Sequence, residues 1–302
     1  MHFKLEEAKN RMSKDQLTNS AINRLITEAL AIETKGAQEA GTLGFMARAM
    51  IQATLPHKEA ASNEFIRTNG NFTLSLLAPS KIGLPYGVIP RLLLSWITTE
   101  AVRTKQREIE LGDSLSAFMR ELDLVPTGGR WGSITRLKEQ MTRLFSSSIT
   151  CTYDDGTTWA LESVKPIDSA RLWWSPKDPG QAALWKSSVT LGERFYEEIT
   201  RAPVPIDMRA LKALKKSPMS IDIYLWLTYR MSYLRHQTII PWDSLSGQFG
   251  ADYSRLRDFK AAFQKELKKV LVVYPDARVE AVDGDNGLIL FPSKSHIRKI
   301  NR

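Results

Sequence analysis

Residues 94–119 read LSWITTEAVRTKQREIELGDSLSAFM, and residues 224–249 read YLWLTYRMSYLRHQTIIPWDSLSGQF. Set 130 positions apart without a gap, the two segments agree at seven of 26 positions: Trp96/Trp226, Thr98/Thr228, Ile109/Ile239, Asp113/Asp243, Ser114/Ser244, Leu115/Leu245 and Ser116/Ser246. Ordinary composition gives roughly one or two matches by chance. Four of the seven form one tetrapeptide, Asp-Ser-Leu-Ser, in the same local context. The segment is duplicated, so the periodicity of one copy informs the other.

In the first copy Ile89, Leu92, Leu93, Trp96, Ile97 and Val102 recur at helical spacing, which predicts a helix over about 88–104. Arg107 to Leu111 alternates as a short strand. Asp113 is placed to cap a short helix running to Leu122. Pro126, Gly128 and Gly129 break the chain into a turn. Ile134, Leu137, Met141, Leu144 and Phe145 mark a further helix, and Ile149 to Leu161 alternates around Asp154-Asp155-Gly156 as a hairpin. The second copy repeats the order: a helix over about 218–234, a strand at 238–240, a helix capped by Asp243, and a turn at Gly250-Ala251-Asp252. A helix with Leu256, Phe259, Phe263, Leu267 and Val270 follows, then strands at 272–274, 278–283 and 287–291 with a tip at 283–287.

Helix, strand, helix, helix, hairpin is the order of a winged helix, whose core is a helix-turn-helix. The expected fold class is therefore α+β and helix-rich, with tandem winged-helix domains and an N-terminal helical segment. Expected boundaries are 1–70 for that segment, 71–168 for the first winged helix, and 169–302 for a linker plus the second. The linker, with Leu172-Trp173-Trp174-Ser175-Pro176, Pro179 and Trp185, has the tryptophans of a packed connection. Within 1–60, Ile22, Leu25, Ile26, Ala29 and Leu30 mark one amphipathic helix, and Phe45, Met46, Met50 and Ile51 another. They read as a cap on the first domain, with a partner arm as the alternative.

The 302 residues suffice for two domains with their own cores. Lys plus Arg number 42 against 33 Asp plus Glu, a net of +9, which attracts polyanions. The lone Cys151 excludes an internal disulfide and, in an alternating stretch, reads as a strand residue. No apolar run approaches the ~20 residues of a membrane span. The N-terminus carries Glu6, Glu7 and Lys9 with no apolar stretch behind them. A cytoplasmic protein with no membrane contact is expected.

The second helix of a helix-turn-helix enters the major groove, about 12 Å wide, so its outer face must carry groups for phosphates and base edges. Residues 254–269 hold six Lys/Arg against Asp258 and Glu266, a net of +4 in sixteen residues. With the apolar set inward, Ser254, Arg255, Arg257, Lys260, Gln264, Lys265 and Lys268 are the candidate DNA contacts. Arg255 and Arg257 are the favoured base readers, because a guanidinium can bond bidentately to guanine. Lysines would hold phosphates. The first copy offers Arg130, Arg136, Lys138 and Arg143, with Ser133, Thr135 and Gln140 as shorter polar readers. A basic face opposite an apolar one is also what any solvated helix shows; two such copies favour the DNA reading. The tail from Lys294, Arg278 and Arg171 are weaker candidates for backbone contact.

No Gly-x-x-x-x-Gly-Lys-Ser/Thr loop occurs. His2, His57, His236 and His296 are scattered, without metal-ligand spacing. A tyrosine that nicks DNA beside a histidine-held metal is therefore not expected, and the tyrosines read as core and interface residues. No cofactor, metal or catalysis is expected.

Two stretches, residues 72–96 (FTLSLLAPSKIGLPYGVIPRLLLSW) and 217–230 (SPMSIDIYLWLTYR), resemble the plasmid-encoded RepA replication initiators of broad-host-range bacterial plasmids. The resemblance covers about residues 70–295. It implies tandem winged helices that bind repeated origin sites on double-stranded DNA, opening of a neighbouring A·T-rich segment, and recruitment of the host initiator and helicase. It also implies a homodimer as a possible second form. The longer turn at Gly128-Gly129-Arg130 departs from a tight helix-turn-helix. Within the binding class the alternative is a transcription regulator; outside it, a DNA-nicking enzyme.

Overall fold

The computed structural model describes residues 19–52, 54–173, 178–180, 187–250, 253–281 and 287–297. The expected turn at 251–252, the wing tip at 283–286, most of the linker tryptophans and the end of the basic tail lie outside them. In chain order the elements begin with α1 (Asn19–Thr34), β1 (Leu43–Met46), α2 (Arg48–Gln52), β2 (Glu64–Asn69), β3 (Phe72–Leu77) and α3 (Val88–Thr104). Next come β4 (Glu108–Glu110), α4 (Leu115–Glu121), α5 (Ser133–Phe145), β5 (Ser148–Asp154), β6 (Trp159–Val164), β7 (Ile167–Arg171) and β8 (Ser188–Leu191). Then follow α6 (Glu193–Arg201), β9 (Val204–Asp207), α7 (Met208–Ala213), α8 (Pro218–Tyr233), β10 (Thr238–Pro241), α9 (Trp242–Phe249), α10 (Leu256–Val273), β11 (Val279–Ala281) and β12 (Gly287–Leu290). The class is α+β.

The chain forms two compact units, one from residues 45–204 and one from 1–44 together with 205–302. The boundaries expected at 70/71 and 168/169 fall in the β2–β3 turn and in β7, inside the first of these. Of the described residues up to 70, 19–44 fall in one unit and 45–70 in the other, residue 53 aside.

In the 45–204 unit α3 starts after Gly87, whose φ of 76° suits a residue without a Cβ, and stops at Lys105 in the left-handed region. Leu92, Leu93, Leu94, Ile97 and Ala101 are buried along it, facing α5 and α6. Arg91 is buried too; its guanidinium donates to the carbonyls of Leu55, Pro56 and Gly87 at 2.8, 3.2 and 2.6 Å. Those bonds supply the partners a buried cation needs. Ser114, and not the expected Asp113, caps α4, accepting from the Ala117 N–H at 3.2 Å.

The strands of this first copy depart from the expected arrangement. The β5–β6 hairpin joins β3 and β2 in a four-stranded antiparallel sheet, with Leu76 opposite Ile149 and Leu74 opposite Cys151. Strand β4 pairs with β8 in a separate sheet, β4-β8-β7. The cause is the β2–β3 hairpin, unread in the sequence, whose fully buried Leu74 and Leu76 complete the core beside β5.

In the other unit the second copy keeps its strands together: β10, β12 and β11 form one antiparallel sheet, with Ile239 opposite Ile289 and Ala281 opposite Leu288. The stretch expected as a strand at 272–274 is the end of α10. Ser217 caps α8, Pro218 occupies its first turn, and its residues 219–228 are all buried. Helix α1 packs on α7 and α10, burying Leu25 and Ile26, so it caps the second copy where a cap on the first was expected. Arg209 fastens it, donating to the carbonyls of Ala31 at 3.0 Å and Lys35 at 2.7 Å while pairing with buried Asp207. The second expected N-terminal helix is β1 followed by the short α2.

Candidate nucleic-acid interface

Helix α10 is held by its apolar stripe. Phe259, Phe263, Leu267 and Val270 are buried against α8 and α9. The rings of Phe249 and Trp242 meet Phe263 edge-on at 5.4 and 5.8 Å, and Trp226 meets it at 6.5 Å. At about 3.6 residues per turn, Arg257, Ala261, Lys265 and Lys268 lie on the opposite face, and all four are exposed. The Arg257 side chain is 84% exposed. Ala261, at the middle of this face, leaves room for close approach.

Ser254 and Arg255 are exposed just before the helix. Arg255 is its N-cap residue, and no side chain caps the first turn. Lys260 and Gln264 flank the face, half-buried, with the Lys260 ammonium 5.8 Å from the Trp242 ring centre.

The acids of the segment do little to cancel this charge. Glu266 turns inward: Lys269 Nζ lies 2.7 and 2.8 Å from its two oxygens and the Ser220 hydroxyl donates to it. Burial pushes the Glu266 carboxyl up, but these bonds outweigh burial and hold it below its ordinary value. Asp258 is exposed, 3.8 Å from Arg257. What remains is a cationic rod of Arg255, Arg257, Lys265 and Lys268.

The first copy is different. Helix α5 buries Ile134, Leu137, Met141 and Leu144 and exposes Thr135, Arg136, Lys138, Glu139 and Thr142. Four of its candidate DNA contacts, Ser133, Thr135, Gln140 and Arg143, make hydrogen bonds within the protein. Ser133 is buried; its hydroxyl donates to the Val125 carbonyl at 2.5 Å and accepts from the Thr127 N–H at 2.9 Å, closing the turn. Arg143 has a side chain only 13% exposed and bonds Glu59, Glu139 and the Leu84 carbonyl at 2.6, 2.6 and 3.2 Å. Gln140 is buried as well, accepting from the Tyr86 N–H at 2.9 Å. Thr135 is exposed but donates to the Gly129 carbonyl. Arg136 and Lys138 remain as exposed cations on α5, with Glu139 between them, and Arg130 is exposed in the preceding turn.

Among the weaker candidates, Lys294 lies 3.2 Å from Asp276, Arg278 sits over the Phe291 ring, and Arg171 is exposed at the end of β7. Sequence reasoning passed over Trp131, which is 80% exposed. A tryptophan between glycines in a polar turn was the available signal. Among the described residues no group of three His, Cys, Asp or Glu is placed to hold a metal, and no helix is long and apolar enough to cross a membrane.

These features define a class: an α+β protein of two units, one of which turns the cationic face of a core helix outward. A model of the family described as plasmid-encoded RepA protein matches residues 84–244. That is more than half of the chain, and the chain belongs to this family of replication initiators. No curated protein matches the chain. Among solved structures it is similar to a selenomethionine derivative of domains 2 and 3 of RctB, with 11% identity and a TM-score of 0.52, over 83% of this chain and 97% of that one. A second crystal structure of RctB domains 2–3 matches at 11% identity and a TM-score of 0.47, over 80% and 94%. At this identity the first likeness speaks for the fold alone.

Proposed function

We propose that this protein initiates replication of a bacterial plasmid by binding repeated origin sites on double-stranded DNA, with α10 as the main reading helix. The observation that carries the reading is the uncovered cationic face of α10, mounted on an aromatic core that fixes its direction. In this reading the 205–302 region is a winged helix, with β11–β12 as the wing and Arg255 and Arg257 at base edges. Lys265 and Lys268 hold phosphates, which set position and not sequence. The first copy makes a weaker contact through Arg130, Arg136 and Lys138, since Ser133 and Arg143 are engaged elsewhere. The protein works in the bacterial cytoplasm, without catalysis or cofactor, as a platform for the host initiator and helicase, and a dimer is a second form of it.

Footprinting on the DNA flanking the reading frame tests the binding, with protected direct repeats as the expected result. A replicon-rescue assay tests the role: the protein supplied with its cognate DNA should sustain a plasmid, which a transcription regulator would not do. Metal-dependent relaxation of supercoiled DNA would instead point to a nicking enzyme.

A further inference from the structure

The turn between α4 and α5 carries the most exposed large apolar side chains among the described residues, Trp131 at 80% and Val125 at 77%. The turn is not slack. The Ser133 hydroxyl bonds both Val125 and Thr127, and Thr127 Oγ1 accepts from the Ser133 N–H at 2.9 Å. Gly129 sits at φ 87° and Gly132 packs so closely that a Cβ there would lie 2.2 Å from the Thr127 carbonyl oxygen. The backbone thus holds the indole in water, where burial of so large an apolar surface would be favourable. The Arg130 guanidinium lies over the Trp131 ring, 5.0 Å from its centre, which occupies one face and leaves the other open. Arg120 and Arg136, on the helix turns that flank this loop, are also exposed, beside the exposed acid Glu121.

We infer that Arg130 and Trp131 form a stacking platform for an unpaired base of single-stranded DNA, with Arg120, Arg130 and Arg136 along its backbone. A base inside a duplex is stacked on both faces and presents only edges and phosphates, whereas an unpaired base offers a π-face to an indole. A stiff, outward tryptophan backed by arginine matches the second and not the first. The platform gives the protein a hold on a strand separated from its partner, distinct from the duplex contact of α10. The inference rests on the proposed function only in taking DNA as the ligand; it requires neither α10 nor origin repeats.

The test uses the full chain, a labelled single strand of about 20 nucleotides and mixed sequence, and the same sequence as duplex, titrated by fluorescence anisotropy. Trp131→Ala should weaken single-strand binding about tenfold, the range found for one lost base–aromatic stack, with duplex affinity and melting temperature unchanged. Trp131→Phe should retain most of the affinity, and Arg130→Ala should lose several-fold. Lys268→Ala should show the reverse pattern, weaker on duplex and unchanged on the single strand. Wild-type protein that does not bind the single strand would overturn the inference. So would a Trp131→Ala variant that binds it normally, or one that loses duplex binding equally. If the duplex is not bound but the single strand is held through Trp131, the α10 reading fails and the platform stands.

Discussion

Removing the two outer lysines of α10 should change how binding depends on salt more cleanly than it changes binding itself. Lys265 and Lys268 are exposed and lie on the face opposite the Phe259, Phe263 and Leu267 stripe. Three residues apart, they are about 4.5 Å apart along the helix axis, so both can sit on one phosphate wall. Each phosphate neutralised by a cation contributes about −0.9 to the slope of log K against log salt. The double variant Lys265→Ala/Lys268→Ala should therefore have a slope shallower by about 1.8. Over a fourfold rise, from about 50 to 200 mM, wild type should lose about twelvefold more affinity than the variant does. Fluorescence anisotropy at four salt concentrations, on a footprinted repeat and on an unrelated duplex, measures both slopes. The loss should be alike on the two sequences, because phosphates carry no base identity. An unchanged slope, with the variant folded, would refute the placement of α10 against a duplex.

Arg257→Ala should act differently, costing about 1–3 kcal/mol on the cognate repeat and relaxing the preference for one base, as seen in a competition series across single-base variants. Arg143→Ala should leave the salt slope alone and lower the melting temperature modestly, because it removes the partner of the Leu84 carbonyl, worth about 1–2 kcal/mol, while Glu59 and Glu139, 57% and 43% exposed, regain water. The imidazole of His296 packs between Tyr224 and Tyr274 and its Nδ1 lies 2.9 Å from the Tyr224 hydroxyl; burial depresses its pKa to about 4. A group whose folded pKa lies below the unfolded value of about 6.5 contributes stability above that value and loses it as pH falls. Thermal stability should thus decline from about pH 6.5 to pH 4, and His296→Gln should flatten that decline; an equally steep fall in the variant would assign it to other groups.

Local features were legible in the sequence where a residue's fate depends on its near neighbours. Apolar spacing located α3 and α8, because a helix buried on most sides is written in its own residues. The duplicated segment likewise announced that 224–249 would repeat the order of 94–119, and α8, β10 and α9 follow one another as α3, β4 and α4 do. Strand partners are another matter. Nothing in Glu108-Ile109-Glu110 says that it will pair with Ser188-Val189-Thr190 in place of β6; that choice depends on a hairpin 30 residues earlier and a strand 80 residues later.

The same limit divides the basic residues of the two helices. On a helical wheel Arg143 and Lys268 both fall outside the apolar stripe, and periodicity alone makes both available to DNA. Periodicity reports which side of a helix faces its own core. It is silent on what a distant part of the chain lays over the other side. At α5 the 55–59 and 82–86 segments supply Glu59, Tyr86 and the Leu84 carbonyl, and Arg143 becomes a clasp. At α10 Glu266 and Lys269 turn to each other and to Ser220, while Lys265 and Lys268 stay open. Charge on the two copies is alike in composition, yet the geometry leaves one copy with a cationic rod and the other with an exposed tryptophan under Arg130 and two exposed cations, Arg136 and Lys138, on its helix. Duplicated folds therefore need not imply duplicated contacts, and the difference between them lies in residues far outside the repeat.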